Sequence, residues 1–323
     1  MRRKSALLSI LTLLFLSGST PVFIFPVPDQ WVTISATPID LDESHPAKRR
    51  LGELIFKGGW RLSSPSSLFG GLSGLVVANG EMMIVSDAGT LFRLGQMPVK
   101  PHVKALVTEL PMGCGRRDSK PDRDSESLAH DPVGGGFWIG LESRNAICRM
   151  DHRGARMAVE ASPAQMKGWP KTGGPETLTR LNDGRFLVIS EQGRGLEATS
   201  PLLLFDGDPV VDGAIGMQLR YQPPRGFLAV DAAQLPDGRI LVLNRRFSAP
   251  FSFTARVTAI DPVDFKPHAT IAGRLVARFE SPVVHDNFEA LAVENTPDGP
   301  IIWILSDDNF LFLQQTLLLK FTL

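Results

Sequence analysis

From residue 51 onward, short apolar runs alternate with polar turns, and no long stretch keeps a helical period. Five stretches align with one another: LSGLVVANGEMMIVSDAG (Leu72–Gly89), ESLAHDPVGGGFWIGLES (Glu126–Ser143), ETLTRLNDGRFLVISEQG (Glu176–Gly193), DAAQLPDGRILVLNRR (Asp231–Arg246) and EALAVENTPDGPIIWILSDD (Glu289–Asp308). Each holds a short apolar strand, a turn rich in Gly, Asn, Asp or Pro, a strongly apolar strand and, in most cases, an acid. Apolar runs separated by such turns predict β-hairpins. The equivalent positions Leu75, Leu128, Leu178, Ala233 and Leu291 are 53, 50, 55 and 58 residues apart. A hairpin recurring at about fifty residues predicts four-stranded propeller blades.

The ends of the chain fit a closed ring. Glu289–Leu323 spans 35 residues, too few for a blade, and Leu51–Leu72 adds 22, which together make one. An N-terminal strand that completes the C-terminal sheet also removes an exposed edge. The expected fold is therefore all-β: a single β-propeller of five blades, closed by pairing of N- and C-terminal strands. Six blades stay open, because Glu197–Gly226 is less regular. Helix is confined to short turns near Ala164–Lys167. Residues 31–323 form the propeller domain, and residues 1–30 precede it as a signal peptide or membrane anchor with a linker.

That leader has a basic start (Arg2, Arg3, Lys4), an apolar stretch from Ala6 to Leu16, and small residues at Ser17 and Ser19 for cleavage. It predicts a periplasmic or secreted protein, anchored in the inner membrane if the leader is retained, since apolar residues resume at Pro21–Val27. Acids and bases balance at 34 each, so no charge excess argues for nucleic acid. An apolar fraction of 43% suits a globular core. Cys114 and Cys148, the two cysteines, leave a disulfide open in an oxidising compartment. Neither has neighbours at zinc spacing.

In a blade, the start of the innermost strand and the end of the second lie at the same face. Glu126, Glu176, Asp231 and Glu289 occupy the starts, with Ser73 as the counterpart in the first blade. Asp87, Glu142, Glu191 and Asp307 occupy the ends, with Asn244 as the counterpart in the fourth. So many carboxylates around one channel mouth raise one another's pKa or recruit a cation, and oxygen ligands from several loops suit Ca²⁺. Arg144, Arg194, Arg245 and Arg246 lie among the acids and could hold a phosphate or carboxylate group. Acids before Gly or Asn are also ordinary turn chemistry. His130 and His285 fall near the same mouth on this reading. Ser73, in GGLSGL, is better explained by a turn than as a nucleophile.

GGLSGL, SDAG, ESLA, GGPETL (Gly173–Leu178), the Ser190–Glu191 pair, DNFEALAV (Asp286–Val293) and SDDNF (Ser306–Phe310) with TLLLKF, in that order, resemble the phytase-like family labelled "esterase-like activity of phytase", which occurs in exported bacterial proteins. The likeness runs from about Leu51 to Leu323, with Ala290 where glycine is expected. It implies a β-propeller with esterase or phosphoesterase activity. It marks Glu126, Glu176, Asp286, Glu289, Asp307 and Asp308 as candidate functional positions. The gathering of carboxylates at the mouth makes all six candidate Ca²⁺ ligands, and Glu126, Glu176 and Glu289 candidate catalytic carboxylates. Arg144, Arg194, Arg245 and Asn287 are the candidate ligand-binding residues. The expected function is calcium-assisted hydrolysis of a small phosphoester or carboxylic ester. The alternative is a non-catalytic propeller that binds a ligand or another exported protein at the same face.

Overall fold

The computed structural model describes residues 28–78, 80–95, 101–116, 121–151, 158–191, 198–249, 252–311 and 313–323. The leader up to residue 27 and Arg194 lie outside the described residues. Three strands come first: β1 (Gln30–Pro38), β2 (Arg50–Leu51) and β3 (Leu54–Ser63). The first blade is β4 (Leu72–Ala78), β5 (Glu81–Ser86), β6 (Thr90–Gly95) and β7 (His102–Glu109); the second is β8 (Ser125–His130), β9 (Phe137–Leu141), β10 (Ala146–Met150) and β11 (Ala158–Ala161). The third is β12 (Pro175–Arg180), β13 (Phe186–Ser190), β14 (Ser200–Phe205) and β15 (Gly216–Gln222). The fourth holds β16 (Leu228–Gln234), β17 (Ile240–Ser248) and β18 (Ser252–Ile260); then β19 (Thr270–Ala272) pairs parallel with β15, and β20 (Arg274–Phe279) completes the fourth sheet. The last blade combines β21 (Phe288–Thr296), β22 (Gly299–Ser306) and β23 (Thr316–Thr322) with β3. Innermost strands β4, β8, β12, β16 and β21 each pack against two of the others, so the ring is closed.

The outer strands β14 and β15 of the third blade fill the irregular stretch that had left room for a sixth. The other regular segments are single 3₁₀ turns, among them Ala164–Met166. Closure follows the expected pairing: Thr316 faces Leu62, Leu318 faces Trp60 and Phe321 faces Phe56. An unanticipated strand adds to it. β1 pairs on one side with β3 (Ala36 opposite Leu62) and on the other with β7 (Trp31 opposite Leu106), joining the last and first blades into one sheet. This protects the outer edges of both.

Five apolar clusters fill the spaces between successive blades. A second strand covered on both faces has no reason to alternate. β9 (FWIGL) and β13 (FLVIS) are accordingly buried at every position. Cys114 and Cys148 form a disulfide, Cα to Cα 5.4 Å, inside the cluster between the first two blades.

Candidate functional site

Every innermost strand slips register at the same place. The shifts fall between Leu72 and Gly74, Ser125 and Ser127, Pro175 and Thr177, Ala229 and Asp231, and Phe288 and Ala290. A bulge leaves one residue out of the ladder and re-aims its side chain. The displaced residues are Ser73, Glu126, Glu176, Val230 and Glu289. Just before each bulge, the strand pairs with Ser86, Leu141, Ser190, Asn244 and Ser306 respectively. The residues that follow these, Asp87, Glu142, Glu191, Arg245 and Asp307, form a second ring beside the first. The register corrects the sequence alignment in the fourth blade. Val230, not Asp231, is the counterpart of the bulge glutamates, and Arg245, not Asn244, stands where the other blades have an acid.

Asp231 consequently has another task. Its carboxylate accepts the backbone N–H of Leu291 at 2.7 Å, tying the fourth blade to the fifth, and burial pushes its pKa well up. Asn244 is buried against Tyr221 and Thr258. Ser73 is a similar staple: its hydroxyl donates to the Ser125 carbonyl of the next blade.

The mouth divides into two electrostatic halves. On one side, Arg245 donates to Glu191 Oε1 at 2.6 Å, to Asn287 Oδ1 at 2.8 Å and to Glu289 Oε1, while Asn287 Nδ2 donates to Glu289 at 2.9 Å. All four side chains are largely buried, and the arginine offsets half of the carboxylate charge on that side. On the other side, one carboxylate oxygen from each of Asp124, Glu126 and Glu142 lies within 4.8 Å of the others. Every influence on Glu126 acts in one direction: burial first, then the charges of Glu176, Asp124, Asp87 and Glu142 push its pKa well up. Glu176, 6% exposed, is raised by burial, by Glu191 and Glu142, and by a hydrogen bond with Glu142; Arg245 opposes this. Asp307 is pushed up to about 8, by burial first and by Asp87 second.

Gly71 makes the tight approach of this wall possible. Its φ is +61°, and a Cβ there would meet Asp87 Oδ1 at 2.1 Å.

The structure thus gathers Glu126 and Glu176 with Asp124 and Glu142, and separately gathers Glu289, Asn287 and Arg245. Other candidates are engaged elsewhere. Asp286 accepts from the N–H groups of Asn287 (2.8 Å) and Gln315 (3.1 Å), and burial raises its pKa. Asp308 accepts from the N–H groups of Phe310 (3.0 Å) and Gly71 (3.3 Å) and from the Thr316 hydroxyl (3.0 Å), linking the last blade to the first. Both hold loops in place, with Asp286 committed to backbone N–H donors and Asp308 to two backbone N–H groups and the Thr316 hydroxyl. Arg144 is turned onto Glu160, 2.6 Å away, at the outer strand of its blade. His130 ends β8 and lies at the far end of the channel, where it lines a cavity of 660 Å³ with Arg180; the expectation that it stood at the acidic mouth is corrected. Asp124 was missed, although its spacing of two from Glu126 on an extended segment is a sequence signal for a shared side.

Fold and mouth together define a closed β-propeller with a carboxylate-lined channel entrance. The chain belongs to the phytase-like family described as "Esterase-like activity of phytase", whose model matches residues 67–310. It is also similar to the major Malassezia sympodialis allergen Mala s 1 (13% identity, 89% of this chain and 96% of that one, TM-score 0.44) and to a putative gluconolactonase (12%, 92% and 94%, 0.46). A third similar structure is regucalcin, a calcium-binding protein from Agrobacterium tumefaciens (14%, 89% and 90%, 0.42). Likenesses at this level carry no argument about chemistry. No curated protein matches the chain.

Proposed function

We propose that this phytase-like propeller is an exported hydrolase of small phosphoesters or carboxylic esters, working at the carboxylate-lined mouth with Ca²⁺. The observation that carries this reading is the close approach of Asp124, Glu126 and Glu142 without a basic residue among the groups that act on Glu126. Ca²⁺ binds carboxylate oxygens at about 2.3–2.6 Å, so two ligands across one ion stand up to about 5 Å apart. The three oxygens, within 4.8 Å of one another, fit that donor set. Asp124, Glu126 and Glu142 would hold the ion, which would polarise the ester oxygen as a Lewis acid.

The chain's own residues supply the rest. Glu176, buried beside this cluster with its pKa pushed well up by burial and by Glu191 and Glu142, can hand a proton to a leaving oxygen when protonated, or take one from water once ionised. Glu289 and Asn287 orient Arg245, whose charge faces developing negative charge at the mouth. Membership of a family described by esterase-like activity supports the hydrolase class. The leader sequence and the Cys114–Cys148 disulfide support export.

The test is a panel of phosphate monoesters and aryl carboxylic esters, assayed in calcium and in chelator, with metal content measured on the purified protein. Calcium-dependent turnover that is lost in Glu176→Gln supports the proposal. Calcium binding without turnover on any member of the panel would replace it with the non-catalytic binding propeller.

A further inference from the structure

Beside the acidic mouth, the fourth blade carries a second concentration of charge, of opposite sign. Arg246 on β17 and Arg256 on β18 lie on the sheet face that turns toward the third blade, the same face from which Asn244 and Thr258 bond Tyr221 of β15. Both guanidinium carbons sit over the ring of Phe227, 4.7 and 4.4 Å from its centroid. Arg278 of β20 stands directly opposite Arg256 in the ladder. Among the described residues, none of these three side chains has a carboxylate at ion-pair distance.

Arg246 and Arg256 each also have one unmet donor. The Nε atoms of Arg246 and Arg256 are buried without a hydrogen-bond partner. So is Oγ1 of Thr254, which faces Arg246 across the strands. Burial without an acceptor costs stability, more so when the donor is charged. Burial first, then the nearby charge of Arg278, lower the pKa of Arg256; Glu280 opposes this from beyond ion-pair distance, and Arg246 adds to it. A chain with as many acids as bases has carboxylates enough to pair these arginines. Their grouping in one cleft, fanned over an aromatic ring, is the arrangement that recognises carboxylate and phosphate. A cavity of 290 Å³ opens beside Arg246 and is bounded also by Arg245, Phe247, Phe253, Asn287 and Asn309, so Arg246 borders a space that reaches the Arg245 side of the mouth.

We infer that Arg246 and Arg256, stacked on Phe227, form an oxyanion-binding subsite at the rim of the mouth, taking the phosphate or carboxylate group of a ligand. Arg278 adds charge at its outer edge. The inference goes beyond the hydrolase reading, because it requires binding and no turnover.

The test is calorimetric titration of the calcium-free protein with inorganic phosphate and, separately, with acetate, at an ionic strength held constant by chloride. Saturable binding of one anion per chain is expected, and the tighter of the two assigns the site to phosphate or to carboxylate. Arg246→Gln and Arg256→Gln should each weaken it by about tenfold or more, the effect of losing a charge-assisted hydrogen bond. Arg256→Lys should recover only part, since the planar fork is lost. Should a buried variant fail to fold, Arg278→Gln, at an exposed position, is expected to weaken binding about threefold by removing a neighbouring charge. No saturable binding of either anion to the wild type, or unchanged affinity in the folded variants, would overturn the inference. A protein that hydrolyses no ester but still binds phosphate through these arginines would remove the earlier reading and leave this one standing.

Discussion

Arg245 stands in the fourth blade where Asp307 stands in the fifth, each one residue beyond the second-strand partner of a bulge. Four blades put an acid at this position and one puts an arginine. That single exchange separates the mouth into a half whose carboxylates share an arginine and a half whose carboxylates face one another. Arg245 is the shared partner of Glu191, Glu289 and Asn287. The other half, around Asp124, Glu126 and Glu142, has no basic residue among the charges that act on Glu126, so protonation or a cation would relieve its repulsion.

Arg245→Gln should therefore cost about 3 kcal/mol of stability, because it strands two largely buried carboxylates. Calcium should recover part of the loss in the variant, since the freed carboxylates become further cation ligands. Urea titrations in calcium and in chelator measure both quantities. Equal stability of variant and wild type would mean that the ion pairs contribute nothing net.

Glu126→Gln should act in the opposite sense. Without calcium it removes a repelling charge and leaves the protein as stable as wild type or more so. With calcium at a hundredfold excess over its dissociation constant, wild type should gain about 2.7 kcal/mol and the variant much less. Melting temperatures of the two proteins in calcium and chelator give the comparison. A wild type indifferent to chelator would sink the metal reading.

The pH dependence has a definite sign. Asp307 is an acid whose folded pKa is raised to about 8. Its protonated form is favoured by folding, so its contribution is fully present below about pH 4, the unfolded carboxyl value. It is lost as pH rises from there through about 8. In calcium-free buffer the protein should lose stability across that window, and Asp307→Asn should flatten the profile. Calcium binding at pH 7 should also release protons, detectable as buffer-dependent binding enthalpy.

Much of this architecture was legible because the hairpin repeat is strong. The spacing of Leu75, Leu128, Leu178, Ala233 and Leu291 placed every innermost strand, and the short ends implied the β3–β23 pairing. Glu126, Glu176 and Glu289 were found by the same periodicity. The spacing could not reveal the bulges, however, since a bulge shifts register without changing the apolar pattern. The one-residue offset at Asp231 and Asn244 has a different origin, the matching of Asp231 to the glutamates: the shared Asp-Gly-Arg turns at Asp183–Arg185 and Asp237–Arg239 are 54 residues apart and pair Val230 with Glu176 and Arg245 with Glu191. β1 has no counterpart in the repeat, so WVTISATP offered nothing to align. The stacking of Arg246 and Arg256 on Phe227 joins three separate segments and has no local signature.

The disulfide links fold and site, and its loss should be felt at both. Cys114 and Cys148 are 34 residues apart, and a closed loop of that size constrains the unfolded chain by about 3–4 kcal/mol. The Cys114 carbonyl also accepts from Arg123 Nε at 3.4 Å, and buried Arg123 is paired with Glu109 and with the carbonyls of Leu110 and Pro111. Arg123 immediately precedes Asp124, and Glu126 follows two residues later. The bridge therefore anchors the segment that presents two of the clustered carboxylates. Cys114→Ala with Cys148→Ala should lower the unfolding free energy by about 3 kcal/mol. It should also weaken calcium binding several-fold, while leaving the Arg245 half unchanged, as shown by an undiminished penalty for Arg245→Gln in the same background. Denaturant unfolding and calcium titration of the oxidised protein and the double variant would show it. A variant that loses stability but binds calcium as tightly as wild type would place the bridge outside the support of the site.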